Sequence, residues 1–361
     1  MKKMIILFFI VINLLSQQCR AISAKSAVLV DSASGRILYE YNAHEKLPMA
    51  STTKIMTGLL ACESGKLSET VKASAYASGT EGSSLWLKIG EKLTLEELTY
   101  GLMLKSGNDA AVAIGEHLGG NIDAFALMMN NRAKKIGAVN TTFKNPHGLD
   151  VDGHYTTAYD LALIAREAMK NKKFREIVST KNCSIPMEGE KWDRQLKNHN
   201  KLLWMYDGCN GVKTGYTKKC GRCLVSSANR DGLEIICVTL NASDDWNDHK
   251  YLLDYGFKNY NLKTAVKEGE RIGKITDKNG GTFLIAENDI SICVKEGEEI
   301  NLKTTIINKK IPIKKGEVQG KAEVYLNGEK ISETDIVAEK AVRKPSFREK
   351  VKNFFLKIFR K

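Results

Sequence analysis

The pattern of apolar residues changes near Asn261, and this change limits the folds that the chain can adopt. Before that point, apolar residues recur at helical spacing between short strand-like runs. After it, β-rich runs alternate with glycine and lysine turns. A chain of 361 residues also exceeds what one ordinary core needs. We therefore expect a large α+β domain over residues 25–262 and a small all-β domain over residues 263–340.

Local signals place the elements of both domains. Alternating runs, turn residues and helix caps predict a leading hairpin, a block of helices, two further strands and a final helix. In the large domain, strands are predicted at Ser26–Asp31, Arg36–Asn42, Cys223–Ala228 and Leu233–Leu240. Between the second and third of these strands, helices are predicted from Ser51 to Gly65, from Thr94 to Lys105, from Asp109 to Leu118, from Asp123 to Gly137 and from Thr157 to Met169. A final helix is predicted from Asp245 to Tyr255, with Gly256 ending it. Strands of the small domain are predicted at Ile290–Val294, Ile300–Ile307 and Ala322–Leu326.

Both ends of the chain carry signals for export and membrane contact. Two lysines precede an apolar run from Met4 to Leu15, which is too short to span a membrane and is typical of a signal peptide over residues 1–24. In residues 345–361, apolar side chains share one helical face and basic side chains occupy much of the rest. This pattern predicts an amphipathic helix within residues 341–361, lying on the anionic outer face of the cytoplasmic membrane.

The net charge of +13 resides mainly in these two ends. Residues 1–24 contribute +3 and residues 341–361 contribute +7, so only about +3 remains for the body of the chain. A body so nearly balanced offers no dominant basic face to a phosphate backbone, and we expect no nucleic-acid partner. The 43% apolar and 27% charged residues are typical of a soluble globular protein.

Seven cysteines remain after the signal peptide, and an odd number cannot all pair within one chain. Cys220 and Cys223 form a Cys-x-x-Cys pair, which is compatible with a redox centre, half of a zinc site or two structural thiols. No second pair and no suitably spaced histidine follows it. The sequence therefore favours structural thiols within a sheet.

Three short motifs follow one another along the chain: Ser51-Thr52-Thr53-Lys54, Ser106-Gly107-Asn108 and Lys213-Thr214-Gly215. The first and the third are each unique in the sequence. A second Ser-x-Asn, at Ser227-Ala228-Asn229, lies inside a predicted strand. The copy at Ser106 lies between two predicted helices, where side chains can converge on a site.

The spacing of Ser51 and Lys54 suits nucleophilic catalysis. On the first turn of a helix the two side chains share a face, so the amine can reach the hydroxyl. Burial and the nearby charge of Lys213 would lower the pKa of Lys54, which could then take the proton of Ser51. The helix N-terminus directs backbone N–H groups towards a developing oxyanion. Lys213 and Thr214, ahead of a strand, would hold a substrate carboxylate, while Gly215 would let the substrate backbone approach the strand edge.

Longer segments carry a family resemblance. They are Pro48-Met49-Ala50 before Ser51, Leu104-Lys105-Ser106-Gly107-Asn108-Asp109-Ala110, Asn145-Pro146-His147-Gly148-Leu149 and Lys213-Thr214-Gly215-Tyr216-Thr217. With them, residues 25–262 resemble the low-molecular-mass penicillin-binding proteins, the serine D-alanyl-D-alanine carboxypeptidases, and the remainder resembles the C-terminal half of that family. The resemblance implies an antiparallel sheet of the serine β-lactamase and penicillin-binding-protein type, with helices on both faces and a helical subdomain, followed by the β domain and the amphipathic helix.

The resemblance also implies an activity, the removal of the terminal D-alanine from peptidoglycan stem peptides through an acyl-enzyme. β-Lactams would be covalent inhibitors, and neither a metal nor a cofactor is implied. The implied roles are Ser51 as nucleophile, Lys54 as general base, Ser106 and Asn108 as proton shuttle and substrate-amide ligand, Lys213 and Thr214 as carboxylate ligands, and the backbone N–H groups of Ser51 and Tyr216 as oxyanion hole. Many relatives carry histidine in place of Tyr216 and arginine near His199, so the substrate preference stays open.

Three other interpretations have different signatures. A β-lactamase would carry a Glu-x-x-Leu-Asn segment between the first and third motifs, and none occurs there. A zinc D,D-peptidase could use His147 and His154 with Asp150 and Asp152, but no closed ligand set accompanies them, and a structured loop is favoured. A wall-binding scaffold without turnover would not need Ser51 and its two lysine partners.

Overall fold

The computed structural model describes residues 22–277, 280–307 and 311–343. Most of the predicted signal peptide and nearly all of the predicted amphipathic helix lie outside these residues. Among the described residues, no helix has the length and apolar character needed to cross a membrane. The described chain divides into two compact units, one built mainly from residues up to 253 and the other from residues 30–38, 229–235 and 254 onward.

The first unit combines a sheet with a block of helices. Its main sheet has five strands, in the order second, first, ninth, eighth and seventh along the chain. These strands are Ser26–Asp31, Ile37–Tyr41, Cys209–Thr217, Gly221–Arg230 and Leu233–Ala242. Two small strand pairs join Thr70–Lys72 to Lys92–Thr94 and Asn182–Ile185 to Arg194–Lys197. The helices are Lys54–Glu63, Ala75–Ser78, Leu95–Leu104, Asn108–Gly119, Ile122–Ile136, Ala158–Lys170, Lys172–Ser179, Leu202–Met205 and Asp245–Asn259, and a 3-10 turn covers Ala50–Thr53.

The second unit contains the β structure that was predicted beyond Asn261. Tyr260–Val266 pairs with Ile290–Lys295, and a five-stranded antiparallel sheet contains Arg271–Asp277, Gly280–Ala286, Glu329–Ala338, Val318–Leu326 and Ile300–Ile306 in that spatial order. Its core is built from aliphatic side chains such as Leu284, Val324 and Ile336. The α+β fold with a C-terminal all-β part is therefore confirmed, and so are the three strands predicted for this part.

Several predicted helix ends were wrong for identifiable reasons. Asn121, not Asp123, caps the helix Ile122–Ile136, because its side chain accepts the N–H of Ala124 at 2.8 Å. Asp109 does not cap its helix, which begins one residue earlier. Gly256 does not end the last helix, which continues to Asn259. Gly137 ends the helix Ile122–Ile136 by adopting a positive φ, whereas Gly256 has no positive φ.

The strand Cys209–Thr217 was not predicted from sequence. The prediction put Lys213-Thr214-Gly215 ahead of a strand, whereas the motif lies inside this strand. The helix Lys172–Ser179 was missed altogether. It follows the helix Ala158–Lys170 with only Asn171 between them, and the side chain of Asn171 caps it by accepting the N–H groups of Lys173 and Phe174.

The helix Lys54–Glu63 forms the centre of the first unit. It packs against the helices Leu95–Leu104, Asn108–Gly119 and Ala158–Lys170, and its Ile55, Met56 and Leu59 are fully buried. Seven of its ten residues are buried. A lysine at the first position of such a helix must also enter the core, which sets the chemistry of the site.

The capping box of the helix Leu95–Leu104 gives a test of the fold. Thr94 Oγ1 accepts the N–H of Glu97 at 3.2 Å, and the Glu97 carboxylate accepts the N–H of Thr94 at 2.7 Å. We expect Thr94→Ala to lower the free energy of unfolding by about 1 kcal/mol, because the first turn loses an acceptor. Denaturant titration measures this, with Glu97→Gln as the conservative control. An unchanged midpoint for Thr94→Ala would contradict the capping assignment.

Candidate active site

Ser51 lies on a 3-10 turn that leads directly into the central helix. The turn is held by its own threonines, since Thr52 Oγ1 donates to Met49 O at 2.6 Å and Thr53 Oγ1 donates to Ala50 O at 2.8 Å. Ala50 has a positive φ of 47°, an unfavourable conformation for alanine. Such backbone strain is characteristic of functional sites, where the surrounding structure enforces it.

The amine of Lys54 is fully buried and has three polar neighbours. Its Nζ lies 2.9 Å from Ser51 Oγ, 2.7 Å from Asn108 Oδ1 and 2.6 Å from the backbone O of His147. The amide oxygen and the backbone carbonyl can only accept hydrogen bonds. A neutral amine therefore commits its two hydrogens to them and turns its lone pair towards the Ser51 hydroxyl, as a general base requires.

Electrostatics favour this neutral form. Burial, and then the positive charge of Lys213, hold the pKa of Lys54 well below its ordinary value. Burial likewise lowers the pKa of Lys213 to about 7. Both shifts have the same sign, because removal from water disfavours an ammonium ion. The environment thus shifts Lys54 towards the free amine, while Lys213 is poised between its two charge states near neutral pH.

The second motif, Ser106-Gly107-Asn108, contributes one residue to the cleft and one to the Lys54 amine. Ser106 is buried and has a positive φ of 62°, and it lines the cleft in front of Ser51. Asn108 uses both ends of its side-chain amide on the protein itself: Oδ1 accepts from Lys54, and Nδ2 donates to the backbone O of Glu81 at 2.6 Å. Asn108 therefore orients the amine, and its part in binding a substrate amide stays a prediction.

The third motif forms the opposite wall of the cleft. The strand Cys209–Thr217 is the last strand of its sheet and pairs only on one side, with Gly221–Arg230. Lys213 is buried, and its Nζ donates to the backbone O of Thr214 at 2.8 Å. The cleft has a volume of about 300 Å³. Its lining residues are Ser51, Ser83, Ser106, His199, Thr214, Gly215, Tyr216, Arg222, Asp245 and Trp246.

Gly215 brings the strand Cys209–Thr217 close to the turn that carries Ser51. A Cβ atom at this position would lie 3.0 Å from the backbone N of both Ser51 and Thr52 and 3.2 Å from Met49 O. From sequence, Gly215 was expected to let the substrate backbone approach the strand edge. In the structure, the missing side chain instead makes room for the serine turn itself.

A loop at residues 145–149 supports the back of the site. The Lys54 amine bonds to its His147 carbonyl, and the backbone of Gly148 lies so close to Ala50 that a Cβ would fall 1.9 Å from Ala50 O. Asn145 Oδ1 holds the loop by accepting the N–H of Gly148 at 2.7 Å. This segment carried part of the family resemblance in the sequence, but its supporting role was not predicted.

His147 and His154, the zinc-ligand alternatives, are used within this region. Nδ1 of His154 accepts the N–H of Lys144 at 3.0 Å, so its Nε2–H donates to Thr53 Oγ1 at 2.8 Å. Burial lowers the pKa of His154 to about 4, and burial with the charge of Lys54 lowers that of His147 to about 3. Both rings are therefore neutral and serve the structured loop that was favoured from sequence. Within the described ranges, no group of three or more His, Cys, Asp or Glu side chains is placed to share a metal ion.

Asp109 helps to form the site, a role that was not predicted from sequence. It is fully buried, and its carboxylate accepts the N–H groups of Leu85 and Leu87 and the hydroxyl of Ser84. These bonds fix the segment that carries Ser83 into the cleft. The signal was available in the sequence, because an aspartate beside a motif residue can organise a loop as well as cap a helix.

Cys220 and Cys223 lie behind the active-site strand and are both buried free thiols. Their Sγ atoms are 3.2 Å apart, and Cys220 Sγ also lies 2.9 Å from the backbone O of Pro48. Their mutual contact and burial raise the pKa of the Cys220 thiol. This environment agrees with the structural interpretation of the pair.

Comparison with known proteins identifies the family. A family model described as D-alanyl-D-alanine carboxypeptidase, peptidase S11, matches residues 13–244, well over half of the chain. The chain belongs to this family. A second model, the penicillin-binding protein 5 C-terminal domain, matches residues 257–344, so the chain is a low-molecular-mass penicillin-binding protein and a serine peptidase.

Curated relatives and solved structures agree with this assignment. D-alanyl-D-alanine carboxypeptidase DacF of Bacillus subtilis is 36% identical over 90% of this chain and 87% of its own length. DacC of Escherichia coli is 33% identical over 94% of this chain and 89% of its own length. The crystal structure of penicillin binding protein 5 from Haemophilus influenzae aligns with a TM-score of 0.73 at 28% identity and covers 90% of this chain and 98% of that one. A structure of PBP3 from Streptococcus pneumoniae gives a TM-score of 0.77 at 25% identity, over 90% of this chain and all of that one.

The contact at Gly215 leads to a prediction for this carboxypeptidase-family site. Gly215→Ala should displace the Ser51 turn and lower the rate of acylation by penicillin on the order of 100-fold, since small misplacements of reacting groups are costly. Stopped-flow or mass-resolved labelling measures the rate. Gly273→Ala is the matched control, because the added Cβ there meets nothing nearer than 3.7 Å. Equal rates for the two variants would show that the close approach does not position Ser51.

Proposed function

We propose that this chain removes the terminal D-alanine from peptidoglycan stem peptides through an acyl-enzyme on Ser51. One observation carries the proposal: the amine of Lys54, whose burial disfavours its charged form, lies 2.9 Å from the Ser51 hydroxyl. Ser51 lines a cleft, and the strand beside that cleft carries a second buried lysine, Lys213. This arrangement supplies a nucleophile, its base and a cation for an anionic substrate end in one place.

Acylation would begin when Lys54 takes the Ser51 proton. The oxygen then attacks the carbonyl carbon of the penultimate D-alanine, and the backbone N–H groups of Ser51 and Tyr216 would stabilise the oxyanion. Ser106 would pass a proton to the departing amine, and the terminal D-alanine leaves. Water, deprotonated by Lys54, would next hydrolyse the ester and free the shortened peptide.

The carboxylate of the terminal D-alanine would bind to Lys213 and Thr214. An incoming carboxylate raises the pKa of a nearby lysine, so substrate binding would itself favour the charged form of Lys213. A β-lactam also carries a carboxylate near a reactive carbonyl, as the terminal dipeptide of the substrate does. It would acylate Ser51, and the resulting ester would be hydrolysed slowly.

We also propose that different segments of the chain serve catalysis and membrane attachment. Residues 25–262 would form the exported catalytic domain, and residues 263–340 the small β domain that links it to a membrane-bound tail at 341–361. The boundaries of the two matching family models, 13–244 and 257–344, support this division. The amphipathic pattern of residues 345–361 supports attachment to the outer face of the cytoplasmic membrane.

Replacement of the nucleophile tests the proposed function. Ser51→Ala should lower the rate of D-alanine release from a stem pentapeptide by at least about 10³-fold. Penicillin should not label this variant, because no other group can form the ester. Released D-alanine and the intact protein mass are the two readouts, with Ser64→Ala as a control serine. Equal release by Ser51→Ala and wild type would refute the mechanism, and labelling without release would indicate a scaffold.

The lowered pKa of Lys213 predicts the pH dependence. Burial disfavours its ammonium form, so in the free enzyme the cation is lost as the pH rises through about 7. We expect kcat/KM for D-alanine release to fall above this pH by about tenfold per pH unit. Lys213→Arg should move the fall beyond about pH 9, because arginine stays charged, whereas Lys134→Arg on an exposed helix should not. An identical alkaline fall in Lys213→Arg would assign the titration to another group.

A further inference from the structure

A loop beside the catalytic cleft presents an exposed tryptophan. Trp86 is 79% exposed, whereas its neighbours Leu85 and Leu87 are buried. Its φ is 60°, a backbone conformation that is a genuine outlier for a bulky side chain. Strain of this kind persists only where the surrounding structure enforces it, and it clusters at functional sites. The catalytic mechanism proposed for Ser51 does not use Trp86.

Asp109 holds this loop in its strained conformation. Its carboxylate accepts the N–H groups of Leu85 and Leu87 at 2.9 and 3.2 Å, one on each side of Trp86. Ser84 Oγ donates to the same carboxylate at 2.6 Å and accepts the N–H of Trp86 at 2.8 Å. Because the aspartate is fully buried, the loop is fixed before any ligand arrives. Little backbone entropy is then lost when the indole makes a contact.

A second exposed tryptophan lies on a hairpin that contacts this loop. Trp192 is 66% exposed and lies two residues before Arg194. The Arg194 guanidinium pairs with the Glu91 carboxylate at 2.9 Å, and both side chains are almost fully buried. Lys88 and Glu190 form a second, more exposed ion pair at 3.3 Å between the same two segments. These pairs hold the hairpin against the loop.

We name Trp86, Ile89 and Trp192 the tryptophan surface. Ile89 is 73% exposed, so the two joined segments present three large apolar side chains to solvent. Residues 84–92 carry a net charge of +1 and residues 186–194 carry −1, so the two segments together are neutral. Exposed apolar side chains grouped in this way mark an interaction site. The charge balance favours an uncharged ligand over an acidic or a basic one.

The substrate of the proposed reaction brings an uncharged polymer to this place. Stem peptides are attached to a glycan strand of N-acetylated sugars through lactyl carboxyls, and each amide bond consumes the charge of its carboxyl. About four residues separate the attacked carbonyl from the sugar, so the strand must lie within about 20 Å of Ser51. Trp86 is three residues from Ser83, which lines the cleft, so its backbone lies within about 11 Å of Ser83. The tryptophan surface is therefore within reach of the strand.

A sugar ring and an indole are complementary in shape and charge. One face of a pyranose ring exposes C–H groups whose hydrogens carry partial positive charge, and the face of an aromatic ring is negative. The methyl group of an N-acetyl substituent offers a further apolar contact, which suits Ile89. The acidic stem peptide, by contrast, gains no electrostatic attraction from a neutral surface.

We propose that the tryptophan surface binds the glycan strand that carries the stem peptide, with an N-acetylated sugar stacked on Trp86. The inference rests on the proposed function and extends it from a free stem peptide to stems attached to glycan. A bound strand holds its stem peptides near Ser51 and raises their effective concentration in the cleft. The surface lies outside the residues that line the cleft, so its effect falls on KM rather than on kcat.

The test compares a free stem pentapeptide with uncross-linked glycan strands that carry the same pentapeptide, using the full chain. Trp86→Ala and Trp192→Ala should each lower kcat/KM for the glycan-linked substrate about tenfold, mainly by raising KM, and leave D-alanine release from the free pentapeptide within about twofold. Trp86→Phe should keep most of the wild-type value, because it retains an aromatic face. Tyr41→Ala is the control, because Tyr41 is 46% exposed but lies on the strand Ile37–Tyr41, outside this surface.

An N-acetylglucosamine oligosaccharide is an uncharged probe for the sugar site. It should inhibit D-alanine release from the glycan-linked substrate without affecting release from the free pentapeptide. Titration calorimetry should show that it binds the wild type more tightly than Trp86→Ala, because the variant has no ring on which a sugar can stack.

The outcomes separate this inference from the proposed function. Equal kcat/KM for the glycan-linked substrate in the wild type and in both alanine variants of the tryptophans would overturn the inference and leave the carboxypeptidase function standing. An equal loss on both substrates in both variants would also overturn it, since it would indicate a part in peptide binding or in folding. Failure of the wild type to release D-alanine from either substrate would instead refute the proposed function.

Discussion

A neutral amine has two hydrogens and one lone pair, and the environment of Lys54 determines where each of them points. The carbonyl oxygens of Asn108 and His147 take the hydrogens, which leaves the lone pair for Ser51. This geometry needs the amine to be uncharged, and burial in the central helix favours that form by lowering the pKa of Lys54. The carbonyl ligands and the burial come from different segments of the chain, so the reactivity of one serine depends on the packing of the whole first unit.

The same dependence explains the small residues and unusual backbone angles around the site. Gly148 and Gly215 both contact the serine turn: a Cβ atom at Gly148 would clash with it, and one at Gly215 would meet it at a tight 3.0 Å. Ala50, which precedes Ser51, and Ser106, which lines the cleft, both adopt positive φ angles. Such a site gains preorganised geometry at a cost in local stability, which the buried apolar helices around Lys54–Glu63 offset.

Much of the fold could be read from local pattern. The leading hairpin, the capping box at Thr94 and the strands beyond Asn261 were predicted because each depends on nearest neighbours in sequence. The errors came where two local signals competed. Asp123 looked like a cap beside the actual cap Asn121, and Asp109 looked like a cap although its carboxylate bonds to a distant loop. Hydrogen bonds between residues far apart in sequence leave no periodic signal.

The sequence by itself determined which groups are available for chemistry, namely a serine and a lysine one helical turn apart, a Ser-x-Asn and a Lys-Thr-Gly, because this information is carried by residue identity and short spacing. Only the tertiary structure decided how these groups act. It placed Lys213 inside the edge strand rather than ahead of it, assigned Asn108 to the amine, and joined the loop of Trp86 to the hairpin of Trp192. These features depend on which distant surfaces meet and on how much water they exclude, and both are settled only when the chain packs.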